Sequence, residues 1–556
     1  MPAVKTERVD EYCARLCETV KENSFYAYQP VWEGELYLEF HRGTYTSQAY
    51  NKKMNRKMEF LLRNTEFALS CAMLRGEDTS ARQGELNEIW KQILCGQFHD
   101  IIPGSSIHEV YEDTREMYQK TEAAAKRILQ DSLNLQGSPD HYTALNTTNW
   151  ERSSVVEIAG DFTNLYFEAE GAAVCKQVCG PDKAVLLLEK LPPMATKTLR
   201  LRQGALKPFK NCAKVFENGL ETDLLKLSWD QNGHLTSIYD KTAGREMIPI
   251  GSRANVITLS EDRPRDYDAW KLEYTYHNKS KEISAPLSIK AIENNPVRAI
   301  VEMEYIFGNS RLSQNIVVYS HTPRIDFKTT VEWKERETLM KVSFPTTISS
   351  SRARYDIQYG SLERPTTRNT SWEFAKYEVV GHKWADFSES GYGAALMNDC
   401  KYGYDIHENT LNLTLLKSSN FPDYAADFGL HEFTYALFLH QGEWYEANVD
   451  GESWELNDAP LVFRGKAVGF PAILPANLKG FTIDAVKPAE DGNFLVIRIH
   501  EKEGRHASVS LPFHFPFLSW SECDLLERSF GEMQTSSSAF LTFTPYEIKT
   551  IKIAVS

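Results

Sequence analysis

Residues 136–141 read QGSPDH, and the period of the chain changes across them. Upstream, apolar residues recur at helical spacing. Leu86, Ile89, Trp90, Ile93 and Leu94 follow the i, i+3, i+4, i+7, i+8 pattern of one helix face. The stretch from Tyr50 to Leu74 holds no Gly or Pro and carries Met54, Met58, Leu61, Phe67 and Leu74, which predicts a long helix. A third helix is expected to about Leu133. Ser106 with Glu109 three residues later has the spacing of a capping box at its start. Downstream, from Tyr142, the period falls to two. SSVVEIAG, TKTLRLRQG and VRAIVEMEYIFG alternate apolar and polar residues. LKLSWDQNGHLTSIYD (225–240) reads as two strands around Asn232-Gly233, a strong hairpin signal. Strands continue to FTPYEIKTIKIAV, and no βαβ rhythm follows residue 140.

The predicted class is therefore an α+β multidomain chain, a three-helix domain followed by antiparallel β-sandwich domains. Its expected divisions are a linking segment at 1–48, the helices at 49–135, a large β-sandwich region at 140–470 and a C-terminal β-sandwich at 471–556. The last boundary is drawn in FPAILPANLKG (470–480), where two prolines and a glycine interrupt the strands. Within the first segment, Val9, Cys13, Leu16, Cys17 and Val20 predict a short amphipathic helix. ENSFYAYQPVWEGELYLEFHRGTYTSQ (22–48) has no helical period and is expected as loop or short strand.

With 556 residues and 42% hydrophobic content, the chain can bury several cores. A formal net charge of −14 disfavours nucleic acid and anionic membranes as partners. No apolar run approaches the roughly 18 residues of a membrane helix. MPAVKTERVDEYCARLCETV has no apolar signal region, which points to the cytoplasm. The nine cysteines, including Cys13, Cys17, Cys175 and Cys179 in C-x-x-x-C pairs, match no standard zinc or redox spacing and are expected as free thiols.

Three stretches concentrate chemistry. CGQFHDIIPGSSIHEV (95–110) sets His99 beside Asp100 at a helix end. Imidazole ligates zinc and a carboxylate holds metal or sugar hydroxyls, but a metal site needs three or four converging ligands, and the neighbourhood supplies none. Read alone, the pair fits a capped or packed helix end better than a metal site. EDRPRDYDAW (261–270) carries Asp266, Asp268 and Trp270. It is either a solvated loop or a projection whose carboxylates hold hydroxyls while the indole covers a sugar face. EFHRGTYTSQ (39–48) groups His41, Arg42, Thr44 and Tyr45 around a glycine. No G-x-S-x-G, Walker loop, G-x-G-x-x-G or H-E-x-x-H occurs.

Taken in order, GELYLEFHRGTYTSQAYNKKMNRKMEFLLRNTEF, WKQILCGQFHDIIPGSSIHEVYED, ALNTTNW, DRPRDYDAW, HKWADFSESGYGAALMNDCKYGYD and DFGLHEFTYAL closely resemble the α-mannosidases of glycoside hydrolase family 38, in their cytosolic and bacterial branch. The resemblance covers nearly the whole chain. It implies a retaining hydrolase of α-mannosides on oligosaccharides, with an N-terminal catalytic barrel, a three-helix domain and β-sandwiches. It also implies an aspartate nucleophile, a carboxyl acid/base and a zinc ion that grips two mannose hydroxyls. The family's Q-x-H-D motif falls on Gln97–Asp100. By resemblance His99 is a zinc ligand and Asp100 a holder of sugar hydroxyls. His41 and the loop of Asp266, Asp268 and Trp270 become substrate contacts.

The departures carry as much. The barrel, the nucleophile, the acid/base residue and three of four zinc ligands have no counterpart here, so zinc belongs to the complete enzyme and is not expected to stay on this chain alone. The barrel is expected as a missing segment or as a separate chain of a split enzyme. A non-catalytic carbohydrate-binding β-sandwich protein is the alternative. The helical surface that would meet the barrel is expected to be apolar and exposed. Thr367 stands where a His is more usual, and Lys417 and Ser419 where Arg and Pro are usual.

Overall fold

The computed structural model describes residues 4–22, 32–204, 210–471, 473–474 and 477–555. It divides into two compact units, Met1–Glu39 and Phe40–Ser556. The first holds α1 (Val9–Glu22), the amphipathic helix read from its spacing, although none of its residues is buried. Residues 23–31 of the expected loop lie outside the described residues. The rest of that loop is neither strand nor open coil throughout, since Glu39–Tyr45 forms a 3-10 turn. Residues 40–48, grouped above with the linking segment, are built into the second unit. The Gly43 N–H donates to the Trp270 carbonyl at 2.7 Å, and the Gln48 and Ala49 N–H groups donate to the Asp427 carboxylate at 2.9 and 2.7 Å.

Those last two bonds open the helical domain. α2 (Ala49–Leu74) begins with Gln48 in the left-handed region at φ 59°, and Asp427, from the β region, satisfies the first free N–H groups. α3 (Ser80–Gly96) and α4 (His108–Ser132) complete the bundle. Met58, Leu62, Ile89, Ile93, Tyr118 and Ile128 form its core. Met58, Ile89 and Ile93 lie on the faces the helical spacing selected, whereas Leu94 of the same predicted face is exposed.

Beyond residue 140 the strands pair antiparallel throughout the described residues. A small sandwich comes first. Strands His141–Asn146, Leu165–Ala169 and Ala195–Gln203 face Arg152–Ala159 and Lys183–Leu191 across Phe162, Phe167, Leu186 and Leu199. The hairpin at Asn232-Gly233 follows, joining Leu225–Trp229 to Leu235–Asp240. Gly233 has φ +80°, and an added Cβ would lie 2.1 Å from the Tyr305 hydroxyl, so both the turn and its neighbour require glycine there. Next come a nine-stranded sheet and a six-stranded sheet. Arg324–Trp333 and Gly429–Gln441 pair at the centre of the larger one.

The C-terminal sheet starts at Phe481–Ala489. Residues 472, 475 and 476 of the expected boundary lie outside the described residues. This sheet does not close a core of its own. Ile497, Ile499, Leu511 and Ile551 share one cluster with Phe67 and Cys71 of α2 and with Leu145 and Met194 of the small sandwich. The ALNTTNW motif is part of that joint. Asn149 donates to the Phe481 carbonyl at 2.9 Å, and Thr147 donates to Asn64 of α2 at 2.7 Å. Asn146, in one of four N-x-S/T sequons, is fully buried and donates to the Trp150 carbonyl at 3.0 Å. No helix among the described residues is long and apolar enough to cross a membrane.

Candidate functional site

The turn after α3 carries the first pair of candidates. Gln97 anchors it on α2, donating to Asn55 at 2.9 Å and Glu59 at 3.2 Å. His99 then stands 76% exposed, with Nε2 3.3 Å from the Asp100 carboxylate. Phe98 beside it is also exposed, its ring 4.6 Å from that of His99. The Asp100 carbonyl draws in both serines. It accepts from the Ser105 N–H at 3.2 Å and from the Ser106 hydroxyl at 2.8 Å, while its carboxylate accepts from the Ser105 hydroxyl at 3.0 Å. This overturns the expected capping box. The Ser106 hydroxyl is spent on the Asp100 carbonyl, its N–H donates to the Tyr111 hydroxyl at 2.8 Å, and α4 starts at His108 after Ile107 with no side-chain cap. The nearer carbonyl outcompetes the helix N–H for the hydroxyl.

The second group sits on the loop before Lys271. The His41 and Trp270 rings stack at 4.8 Å and 30°, and Trp270 stacks on Tyr267 at 5.7 Å and 19°. Gly43 permits this approach. A Cβ there would lie 2.9 Å from the Trp270 carbonyl and 2.7 Å from Cε of Lys417. The Asp266 carboxylate pairs with the Lys271 ammonium at the rim. Asp268 points the other way. Its Oδ2 accepts from the N–H groups of Asn420 and Phe421. Below it, Lys417 is fully buried, its ammonium paired with Asp262 and 3.9 Å from Asp268 Oδ1. Burial pushes the Asp262 carboxyl up, and the Lys417 charge pulls it back. Two polar atoms of the face have no hydrogen-bond partner among the described residues, His41 Nδ1 and Asp268 Oδ1.

Ser47 joins the two groups. Its hydroxyl donates to the Ala269 carbonyl at 2.7 Å. On its other side it meets Gly104, which has φ +91° and whose Cβ would fall 2.6 Å from the Ser47 carbonyl. Lys52 of α2 ties the joint, donating to the carbonyls of Ser47 and of Ile102, the latter at 2.8 Å. So His41, Asp268 and Trp270 form one cluster with Asp266 at its edge. The His99–Asp100 turn rests on the same residue from the opposite side. No hydrogen bond or ring contact links His99 to the stack among the described residues. Exposed apolar side chains crowd this region. Phe40 and Tyr267 flank Lys271 at 5.3 Å each, Phe421 follows Asn420, and Tyr424 lies 5.8 Å from the His108 ring.

Lys52 gives the joint a pH dependence. Burial lowers its ammonium to about 7, with Asp427 opposing the shift and Lys401 adding to it. The unfolded chain keeps the proton to about 10.5. Between these values the unfolded state binds more protons, so stability rises with pH through that window and is lost as pH falls towards 7. The stability difference between wild type and Lys52→Met is expected to grow by up to ~1.4 kcal/mol per pH unit between about pH 7 and 10. Guanidinium denaturation at stepped pH measures it, and parallel curves would show Lys52 to be charged in the fold.

Residues 39–135 match the α-mannosidase middle domain, 220–425 the glycosyl hydrolases family 38 C-terminal domain, and 480–551 the C-terminal β-sandwich domain of the same family. The chain belongs to glycosyl hydrolase family 38. α-Mannosidase G of Dictyostelium discoideum is 34% identical over 588 residues, which cover 94% of this chain and 52% of that protein. Human α-mannosidase 2C1 is 32% identical over 545 residues, with 94% and 51% covered. The chain thus spans about half the length of the curated relatives it matches. The crystal structure of an α-mannosidase from Enterococcus faecalis V583 superposes with a TM-score of 0.78 over 98% of this chain and 72% of that one, at 16% identity, a likeness of fold.

No group of three or more His, Cys, Asp or Glu side chains that could hold a metal ion occurs among the described residues, and His99 with Asp100 supplies at most two donors. Sequence reasoning missed Ser47, Lys52, Tyr267, Asp262 and the role of Lys417. Lys417 stood out only as a replacement for the family's usual Arg, and the buried ammonium still supplies a cation between two carboxylates. A lysine at the end of the apolar run LNLTLL was the one signal available. Thr367, another of the three departures, donates to the Glu373 carboxylate at 3.4 Å.

Proposed function

We propose that this chain is the C-terminal part of a retaining, zinc-dependent α-mannosidase acting on α-mannosides of oligosaccharides. The face of His41, Asp268 and Trp270, with Asp266 at its rim and the His99–Asp100 turn beside it, is one wall of the sugar site. A catalytic barrel, carried by another segment or by a separate chain, supplies the nucleophile, the acid/base carboxyl and the remaining zinc ligands. In the complete enzyme His99 gives zinc one ligand and Asp100 holds sugar hydroxyls. The compartment is the cytoplasm, with no nucleic acid or membrane as partner.

The observation that carries this reading is the Tyr267–Trp270–His41 stack, with His41 Nδ1 lacking a hydrogen-bond partner among the described residues. An indole covers the apolar face of a pyranose, and the His41 nitrogen takes one of its hydroxyls. The surrounding exposed Phe40, Phe98, Tyr267 and Phe421 suit a face that a further domain covers. Because zinc and both reacting carboxyls lie outside this chain, the chain alone is inactive.

An aryl α-mannoside assay with added zinc tests this. The purified chain is expected to show no turnover above buffer, and turnover to appear when a family 38 barrel is joined to it. Zinc-dependent turnover by the chain alone would overturn the reading. Glycan binding without gain of activity on joining a barrel would favour a non-catalytic carbohydrate-binding protein.

A further inference from the structure

A cavity of about 700 Å³ opens where α2, α3, the strand Trp384–Glu389, the helix Val449–Asn457 and the C-terminal sheet meet. It shares no residue with the His41–Trp270 face. Its size lies within the roughly 300–1,000 Å³ of small-molecule sites. Four tryptophans line it, and three of them are nine-tenths or more buried: Trp384, Trp444 and Trp454. The first two rings lie 5.3 Å apart at 31°.

The charges around these indoles cancel. Lys383 is 3.0 Å from Asp356 and 3.8 Å from Asp450, Lys502 is 3.1 Å from Asp450, and His500 is 2.8 Å from Asp484. Over the whole lining, seven Lys and Arg side chains face six Asp and Glu, so no strong field of either sign awaits an ionic ligand. The hydrogen-bonding capacity does not cancel. Nη2 of Arg56, Nε1 of Trp384 and Oγ1 of Thr482 are buried without a hydrogen-bond partner among the described residues. Their residues are 4%, 1% and 2% exposed, and all three line this cavity. Buried donors are almost always satisfied, because leaving one bare is costly. Three bare polar atoms around one aromatic-lined cavity call for a ligand rich in neutral oxygen and carrying an apolar face.

We propose that this cavity binds a neutral saccharide, one or two pyranose units whose C–H faces lie on the indoles and whose hydroxyls accept from Arg56 and Trp384 and pair with Thr482. The proposal stands independently of the reading of the His41–Trp270 face.

Isothermal titration of the full 556-residue chain with α-linked mannobiose, maltose and, separately, inorganic phosphate tests it. At least one disaccharide is expected to saturate at millimolar concentration or below. Thr482→Val, which removes a hydrogen bond while keeping shape, and Trp384→Phe, which removes the N–H together with part of the indole, are each expected to weaken that binding by about tenfold or more. Trp270→Ala reads the His41–Trp270 face separately, so any binding lost only in that variant belongs to that face and not to this cavity. Thr482→Val is close to isosteric, so it decides the question even where Trp384→Phe fails to fold. The proposal is overturned if neither disaccharide binds, which would leave a water-filled cavity. It is equally overturned if Thr482→Val binds as wild type does, if only Trp270→Ala abolishes binding, or if phosphate binds in preference to the sugars.

Discussion

Lys417→Met is expected to destabilise the chain by about 3–5 kcal/mol, the cost of breaking a buried ion pair from one side. Among the described residues Lys417 is the one cation paired with Asp262 and Asp268, and it is fully buried. Its removal leaves the Asp262 carboxylate buried without an opposite charge and brings two acids to face a methionine. The consequence reaches the proposed sugar-facing wall directly. Asp268 holds the N–H groups of Asn420 and Phe421, and the adjacent Ala269 and Trp270 carbonyls hold Ser47 and Gly43. Guanidinium denaturation reads the stability, and hydrogen exchange at Asn420 and Phe421 reads the loop, which is expected to open. The double variant Asp262→Asn with Lys417→Met removes one stranded charge and is expected to recover at least half of the loss. A Lys417→Met chain within about 1 kcal/mol of wild type, on the scale of an exposed pair, would show that the lysine is not the electrostatic floor of this face.

Much of the fold could be read from local pattern. The helix Ala49–Leu74 follows from a run without Gly or Pro, and the alternation in Arg152–Ala159 reappears as alternating burial. The Asn232-Gly233 hairpin forms where its turn chemistry places it. Pattern failed where two local partners competed. Ser106 and Glu109 have capping-box spacing, yet the Asp100 carbonyl takes the serine hydroxyl, a contest that spacing does not rank. It failed more completely at the site. His41, Asp268 and Lys417 are brought together from three segments that are far apart in sequence, and no period or motif encodes such a meeting. The Trp-lined cavity likewise draws Arg56, Trp384 and Thr482 from three separate parts of the chain. Read alone, the His99–Asp100 pair fits a capped or packed helix end; His99 is exposed and so not packed, which burial-blind spacing could not reveal.

The second large effect is expected in the complete enzyme, this chain joined to a family 38 barrel. Trp270→Ala removes the indole face proposed to carry the sugar and the stacking partner of His41 and Tyr267. The lost apolar contact is worth about 1.5–3 kcal/mol, so kcat/KM is expected to fall about 10–100-fold. The loss should appear mainly in KM, because the indole touches the bound sugar in ground and transition states alike. His99→Ala acts differently. It removes a proposed metal donor, and partners one shell further out from a metal already carry about 10–100-fold, so a fall of about 100-fold or more in kcat/KM is expected. His99 is largely exposed and makes no contact needed by the core, so the fold is expected to survive the change.

The most direct measurement is therefore zinc-dependent hydrolysis of an aryl α-mannoside by the barrel-joined chain, wild type against His99→Ala, at stepped zinc concentration. The expected result is activity in the wild type, a loss of about 100-fold or more in the variant at limiting zinc, and an unchanged denaturation midpoint. A His99→Ala enzyme with the wild-type kcat/KM and the wild-type zinc dependence would contradict the assignment of this turn to the zinc–sugar site.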